Sequence, residues 1–328
     1  MQTNNGLLNQ VINIDENQFE SVALKVFQSQ YQNNLVYHRF IDSLQLDTTK
    51  VSGLHEIPFL PIELFKTQKV VTGIWEPELI FTSSGTGNQV ASNHYLPSAA
   101  DYKGISEEIF SSFYGSPERY HILALLPSYL ERTGSSLVYM LENLVDLSQS
   151  VYSGFYLHNH DRLVAQIEKV KQEDQRRLML WGVSFALLDL AETTTIDLSD
   201  AIIIETGGMK GRREEIIRED LHQRLISSFN CKEIQSEYGM AELTSQAYTV
   251  NGRFHTPPWM HVMVRDVSDP FHYLPAGQVG ALNIIDLANG HSCAFIETQD
   301  LGEVGDDGSF TVLGRLDNSE VRGCNLLV

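Results

Sequence analysis

Short apolar runs alternate with helical stripes from about Val70 to Leu243. Residues 79–81, 121–126, 178–181, 201–205 and 232–235 are brief and β-prone. Leu163, Val164, Ile167 and Val170 recur at helical spacing, as do Ile217, Leu221, Leu225 and Phe229. Pro97 suits the first position of a further helix, where a missing N–H costs nothing. This alternation predicts an α/β fold with a largely parallel sheet. Ligands of such sheets gather at the loops that leave the carboxyl ends of strands. Four polar loops do so here, at 82–88, 127–136, 206–212 and 236–242.

The flanks read differently. Residues 1–50 are polar and helical, with a helix expected over about 17–30. Two prolines stand among large apolar residues in Ile57-Pro58-Phe59-Leu60-Pro61-Ile62-Glu63-Leu64-Phe65-Lys66. That mixture excludes a central strand or a helix interior and predicts an extended, packed connection. Beyond Asn251, residues 262–267, 280–287, 293–298 and 309–313 read as strands cut by Gly, Asp and Pro turns. The expected organisation is an N-terminal helical segment with an entry linker (1–68), an α/β nucleotide-binding core (69–250) and a small β-rich subdomain (251–328).

With 328 residues, 42% of them hydrophobic, the chain can bury a sizeable core. Its net charge is −19, from 42 acidic and 23 basic residues. A surface that acidic repels phosphate backbones and anionic lipid, which argues against nucleic-acid and membrane-surface roles. The first residues are polar and amide-rich, without a basic-then-apolar leader. The longest apolar stretch, 179–190, is broken by Gly182, Ser184 and Asp189 and is shorter than the about 20 residues of a membrane helix. Cys231, Cys293 and Cys324 are odd in number and far apart, which fits neither a disulfide frame nor a zinc site and suits a reducing cytoplasm. No histidine pair has metal-ligand spacing, and His158 and His160 would not share a helix face.

The candidate chemistry begins at Phe81-Thr82-Ser83-Ser84-Gly85-Thr86-Gly87-Asn88. Glycines let the backbone approach a ligand, and free N–H groups with hydroxyls suit phosphate oxygens. The run is neither a Walker loop nor G-x-G-x-x-G, and by itself an ordinary Ser/Gly turn explains it equally well. Glu205-Thr206-Gly207-Gly208, Tyr238-Gly239-Met240-Ala241-Glu242, Thr298-Gln299-Asp300 and Gly314-Arg315-Leu316-Asp317 follow in that order. Alone, each is also an ordinary strand-end or turn sequence.

Together and in this order the five segments resemble those of adenylate-forming enzymes. The resemblance implies that Ser83, Ser84, Gly85, Thr86 and Gly87 form a phosphate loop and that Gly207 and Gly208 lie against adenine. Tyr238 and Gly239 would line the adenine site, with the flat ring of Tyr238 facing the base. Asp300 would grip both ribose hydroxyls, and Arg315 would belong to the hinge. Glu242 would hold Mg²⁺, a hard cation that takes oxygen ligands and bridges triphosphate oxygens. The implied fold is the adenylate-forming large domain, with the mobile C-terminal domain of coenzyme A ligases expected to be absent.

Leu126-Pro127-Ser128-Tyr129-Leu130-Glu131-Arg132, Gly207-Gly208-Met209-Lys210-Gly211, the 61–66 entry segment and Glu320-Val321-Arg322-Gly323-Cys324 are similar to LuxE-type acyl-protein synthetases. That likeness implies ATP-dependent activation of a carboxylic, fatty acid to an acyl-adenylate. Transfer to the chain's own Cys324 would follow, and then transfer to an acyl reductase or another acceptor protein. The family loop usually reads Ser-Gly-Thr-Thr-Gly, so Ser84-Gly85-Thr86-Gly87 is one residue short, and Asn88-Gln89 replaces the usual following lysine. Lys210 is a candidate for the missing positive charge, and equally a solvated lysine at a helix start. Two other readings stand beside this one. The shortened loop suits a non-catalytic nucleotide- or acyl-binding protein of the same fold. Trp181-Gly182-Val183-Ser184-Phe185-Ala186, between an expected strand and helix, suits a serine acyl hydrolase using Ser184.

Overall fold

A computed structural model describes residues 11–83, 90–127, 134–173, 176–207 and 216–316. Helix α1 (Glu16–Asn33) is capped by Asp15, whose carboxylate accepts the Gln18 N–H, and it buries Phe19, Ala23 and Phe27 on one stripe. Buried Gln30 on the same stripe donates to Asn289 O and accepts the Ala294 N–H, which ties the helix to the C-terminal strands. Asn34 caps α2 (Leu35–Ser43) through Val36 N and Tyr37 N.

The proline-rich entry segment supplies β1 (Leu60–Pro61) and a single helical turn, α3 (Leu64–Thr67). Through Pro61 it is extended and packed, as its composition requires; Leu64–Thr67 is helical instead of extended. Next come β2 (Leu79–Thr82), β3 (Asn93–Leu96), α4 (Ala99–Tyr114), β4 (Tyr120–Leu125), α5 (Ser136–Leu147), β5 (Gly154–Tyr156), α6 (His160–Glu173) and β6 (Arg177–Val183). They are followed by α7 (Ser184–Thr193), β7 (Ile202–Thr206), α8 (Arg218–Phe229), β8 (Gln235–Tyr238), β9 (Ala247–Val250) and β10 (Arg253–His255). The last strands are β11 (Met260–Arg265), β12 (Val279–Asp286), β13 (Phe295–Val304) and β14 (Phe310–Arg315).

Among the described residues twelve strands form one sheet, in the order β11-β12-β13-β14-β10-β9-β8-β7-β6-β4-β5, with β1 beside β13. The block from β5 to β8 is parallel, as the strand–helix alternation predicts. From β8 to β11 the path is antiparallel. The sheet runs without a break through the expected boundary at 250, because β9 and β10 pair as a hairpin across it. Asp300 and Arg315 face each other in the β13–β14 register.

Three local expectations are corrected. Residues 79–81 do not join the large sheet; β2 pairs antiparallel with β3 in a separate two-stranded arm, and Ile80 is exposed. The loop after β2 therefore returns into a strand and not into a helix. The strand expected over 232–235 lies at Gln235–Tyr238, because its polar side chains find buried partners that local hydrophobicity does not announce. Pro97 precedes the cap of α4: Ser98 accepts the Asp101 N–H.

Candidate active site

The carboxyl end of β8 brings the ordered motifs together. The Tyr238 hydroxyl donates to Asp300 Oδ2 at 2.7 Å, and Arg315 Nε donates to Asp300 Oδ1 at 3.1 Å. Asp300 is buried while the Arg315 side chain is largely exposed, so the carboxylate is held between an inner phenol and an outer guanidinium. Burial and the Asp300 charge push the Tyr238 phenol well above its ordinary pKa, and it stays a donor. Partial desolvation beside Tyr238 works against the Arg315 charge, but the Asp300 carboxylate more than offsets it, and the pKa rises. The Tyr238 ring packs against Phe254 and edge-on against Phe310, with centroids 5.8 and 5.4 Å away.

The base of the candidate phosphate loop is closed by two bonds between the strands of the arm. Ser83 N donates to Ser92 O at 3.2 Å, and Ser92 N donates to Ser83 Oγ at 2.9 Å. Ser84, Gly85, Thr86 and Gly87, together with Gly208, Lys210 and Cys324, lie outside the described residues. Ser92 also donates its hydroxyl to Glu242 Oε1, so the last residue of the Tyr-Gly run stands at the foot of the loop. Burial raises the Glu242 pKa, and the Ser92 bond partly counters it. Asn289 Nδ2 holds the Glu242 carbonyl at 2.9 Å.

His94, two residues beyond Ser92, is fully buried and fixes the same run through Nδ1 and Ala241 O, 2.9 Å apart. A carbonyl accepts only, so Nδ1 carries the proton. Burial lowers the ring pKa to about 4. Between its ordinary value near 6.5 and about 4, the unfolded chain binds a proton there that the folded chain refuses. Stability contributed by neutral His94 is thus present above pH 6.5 and is lost as pH falls towards 4. Denaturant titrations at pH 7 and 4.5 should show wild type losing roughly 2–3 kcal/mol more than His94→Gln. Equal losses would remove His94 as an acid-sensitive point of this site.

A second buried group stands behind β7. Glu205 Oε2 accepts the Ser184 hydroxyl at 2.7 Å and Oε1 the Ser236 hydroxyl at 2.7 Å, with Arg218 Nε and His222 Nε2 3.5 and 3.6 Å from Oε1. Burial pushes the Glu205 pKa up, but His222, Arg218, Ser236 and Ser184 together bring it below its ordinary value. Glu205 is therefore a buried carboxylate that anchors α7, α8 and β8 to the strand leading to Gly207. At Gly207 φ is +86°, a conformation that glycine supplies without strain. Thr206 donates its hydroxyl to Glu237 Oε2.

This arrangement corrects the hydrolase reading. Ser184 is buried and donates its hydroxyl hydrogen bond to an anchoring carboxylate, whereas an activated serine is exposed at a turn. Cys231 and Cys293 are free and buried, and burial raises both thiols, Cys293 to about 12. Among the described residues no group of three or more His, Cys, Asp or Glu is placed to hold a metal. Ser92 and His94 bond the candidate site from outside the sequence motifs, while Thr206 and Glu237 stood within the quoted motif and loop segments without an assigned role. Ser92 and His94 take part because β3 folds back on β2, a pairing with no local signature.

No family model matches the chain. A curated relative, the long-chain-fatty-acid–luciferin-component ligase of Aliivibrio fischeri, is 22% identical over 303 residues, 87% of this chain and 79% of the relative. An open conformation of 2-hydroxyisobutyryl-CoA ligase in complex with 2-HIB-AMP and CoA superposes with a TM-score of 0.66 at 14% identity, over 95% of this chain and 83% of that one. ATP-bound MatB from Rhodopseudomonas palustris gives a TM-score of 0.55 at 16% identity, covering 72% of this chain. This chain spans about half of the MatB length, 47%. These ligases share the fold that carries Tyr238, Glu242, Asp300 and Arg315 here. In its ordered motifs and its fold the chain is similar to the adenylate-forming acid–thiol ligases, and in sequence it is similar to a LuxE-type relative.

Proposed function

We propose that this chain uses ATP to activate a carboxylic acid, a fatty acid by likeness to its curated relative, and then carries the acyl group on Cys324. The observation that supports this best is the shared carboxylate of Asp300, bonded by Tyr238 on one side and Arg315 on the other. Each Asp300 oxygen keeps a lone pair for a ribose hydroxyl. Glu242 then lies at the foot of the candidate phosphate loop, where a triphosphate would extend from that ribose.

In the first step a carboxylate oxygen of the acid bonds to the α-phosphorus, and the bond to the bridging oxygen breaks to release pyrophosphate. In the second the Cys324 thiolate bonds to the acyl carbon and AMP leaves with the electron pair. Two anions meet in the first step, so N–H donors and positive groups must carry the developing charge. Lys210 and the N–H groups of the 83–87 loop are proposed for this role. Glu242, a buried carboxylate at the foot of the candidate loop, would hold a Mg²⁺ of the sparse kind that takes one or two protein carboxylates. Bound there, the ion would neutralise phosphate charge. The proposed next acceptor is an acyl reductase or another protein thiol. Among the described residues no helix is long and apolar enough to cross a membrane, and the free thiols support a cytoplasmic setting.

The test is ATP–pyrophosphate exchange across carboxylic acids of graded chain length; exchange that no acid stimulates would end the proposal. Asp300→Ala is expected to weaken ATP about ten- to a hundredfold, the equivalent of about 1.5–3 kcal/mol for bonds to a charged group. Calorimetry on the folded variant measures it, and unchanged ATP affinity would take Asp300 out of the site.

A further inference from the structure

A row of buried polar atoms runs inward from the Tyr-Gly turn. A side-chain carbon at Gly239 would overlap Glu237 Oε1 and touch Gln246 Cγ, so Glu237 and Gln246 flank that turn. Glu237 pairs with Tyr248 across β8 and β9. Tyr248 is the hub of the row, with the rings of Tyr114 and Trp181 edge-on to it at 5.4 and 5.8 Å. Its hydroxyl reaches Met140 Sδ at 3.9 Å, a weak acceptor, and Asn143 follows one turn along α5 among the buried residues.

Purely apolar packing would leave no polar atoms to satisfy here. Instead Tyr114 Oη, Asn143 Nδ2, Trp181 Nε1 and Gln246 Oε1 are each buried without a hydrogen-bond partner among the described residues. Native interiors rarely tolerate such atoms, which are satisfied by buried water or by polar atoms of a ligand. Glu237 contributes to the same row: its charge acts on Tyr102, Tyr114 and Tyr248 and, after burial, raises all three phenols. Burial, reinforced by Glu205 and countered by the Thr206 hydroxyl, pushes Glu237 up to about 7, so near neutrality it can donate as well as accept. Phe81, in the arm that leads to the candidate phosphate loop, packs on Tyr102 at 4.6 Å.

We infer that this row receives the acyl portion of the substrate, and that the acid carries an oxygen substituent, a hydroxyl or oxo group, bonded by Tyr114, Trp181 and Asn143. The inference rests on the acyl-activating reading and narrows it. The Tyr114 and Trp181 rings both pack on Tyr248, and Asn143 lies one turn from Met140, which the Tyr248 hydroxyl reaches; their unpaired O–H and N–H groups match an oxygen acceptor. A plain alkyl chain would leave all three unpaired, and sites built to bond a substrate oxygen reject analogues lacking it.

The experiment compares octanoate with hydroxy- and oxo-octanoates bearing one oxygen at successive positions. Pyrophosphate exchange and the melting temperature of the full chain are measured with each acid. At least one oxygenated acid is expected to exceed octanoate by about tenfold or more in kcat/KM. Trp181→Phe and Tyr114→Phe keep the rings and should each narrow that ratio about five- to tenfold. Octanoate matching every oxygenated acid would overturn the inference and leave acyl activation standing; trapped water would then satisfy the row. A preference for oxygenated acids that neither variant changes would also overturn it. Oxygenated acids that raise the melting temperature more than octanoate, without any exchange, would uphold the pocket and remove the activation reading. Neither exchange nor stabilisation by any acid would overturn both.

Discussion

The Cys324→Ala protein is expected to exchange pyrophosphate like wild type and yet carry no acyl label. The experiment incubates each protein with ATP, Mg²⁺ and a labelled fatty acid and then applies hydroxylamine, which cleaves thioesters. Wild type should hold a hydroxylamine-labile label and the variant none, an all-or-none difference. The physical case has two parts. An acyl acceptor must present a thiolate to the acyl-adenylate, and burial suppresses the thiolate of both other cysteines, with Cys293 raised to about 12. Cys231 and Cys293 are also closed to a substrate, being 7% and 0% exposed. Cys324 follows Arg322 and Gly323, and a neighbouring positive charge favours the thiolate. Adenylate is a good leaving group, so positioning is the main remaining requirement. Full labelling of Cys324→Ala would sink the assignment and redirect attention to the two buried thiols.

Glu242→Gln is expected to raise the Mg²⁺ needed for half-maximal exchange by about 10–100-fold, the scale found when even groups supporting a metal ligand are lost. The substitution keeps the side-chain shape, and Ser92 can still donate to the amide oxygen. What it removes is the charge that a hard divalent cation requires. Burial already disfavours that charge, so thermal stability should hold or rise slightly. Affinity for ATP without Mg²⁺ should change much less. An unchanged Mg²⁺ dependence, measured on a variant of normal melting temperature, would remove Glu242 as the ligand.

Much of this was legible in the sequence because two kinds of signal are local. Periodicity marked the parallel strands and amphipathic helices, since residues such as Leu221, Leu225 and Phe229 must share one helix face to be buried. The motif residues were legible because each does its work within a few positions of a strand end. Tyr238, Glu242, Asp300 and Arg315 were all named from their own short segments, and the fold brings Tyr238, Asp300 and Arg315 into direct contact.

The tertiary structure alone decided which polar residues are partners. Gln235–Tyr238 has no apolar pattern, yet it is a strand because Glu205, Thr206 and Asp300 meet its side chains from elsewhere in the sheet. Ser184 has the local context of a nucleophile, and only the position of Glu205, on the next strand, turns it into an anchor. Ser92 and His94 join the site through the pairing of β2 with β3 and the approach of the Tyr-Gly run. Periodicity reports which face a residue occupies, because burial of one side is a local demand. Partnership between buried polar groups is set by long-range register, where one residue of slip moves every side chain to the other face, and no short window of sequence contains it.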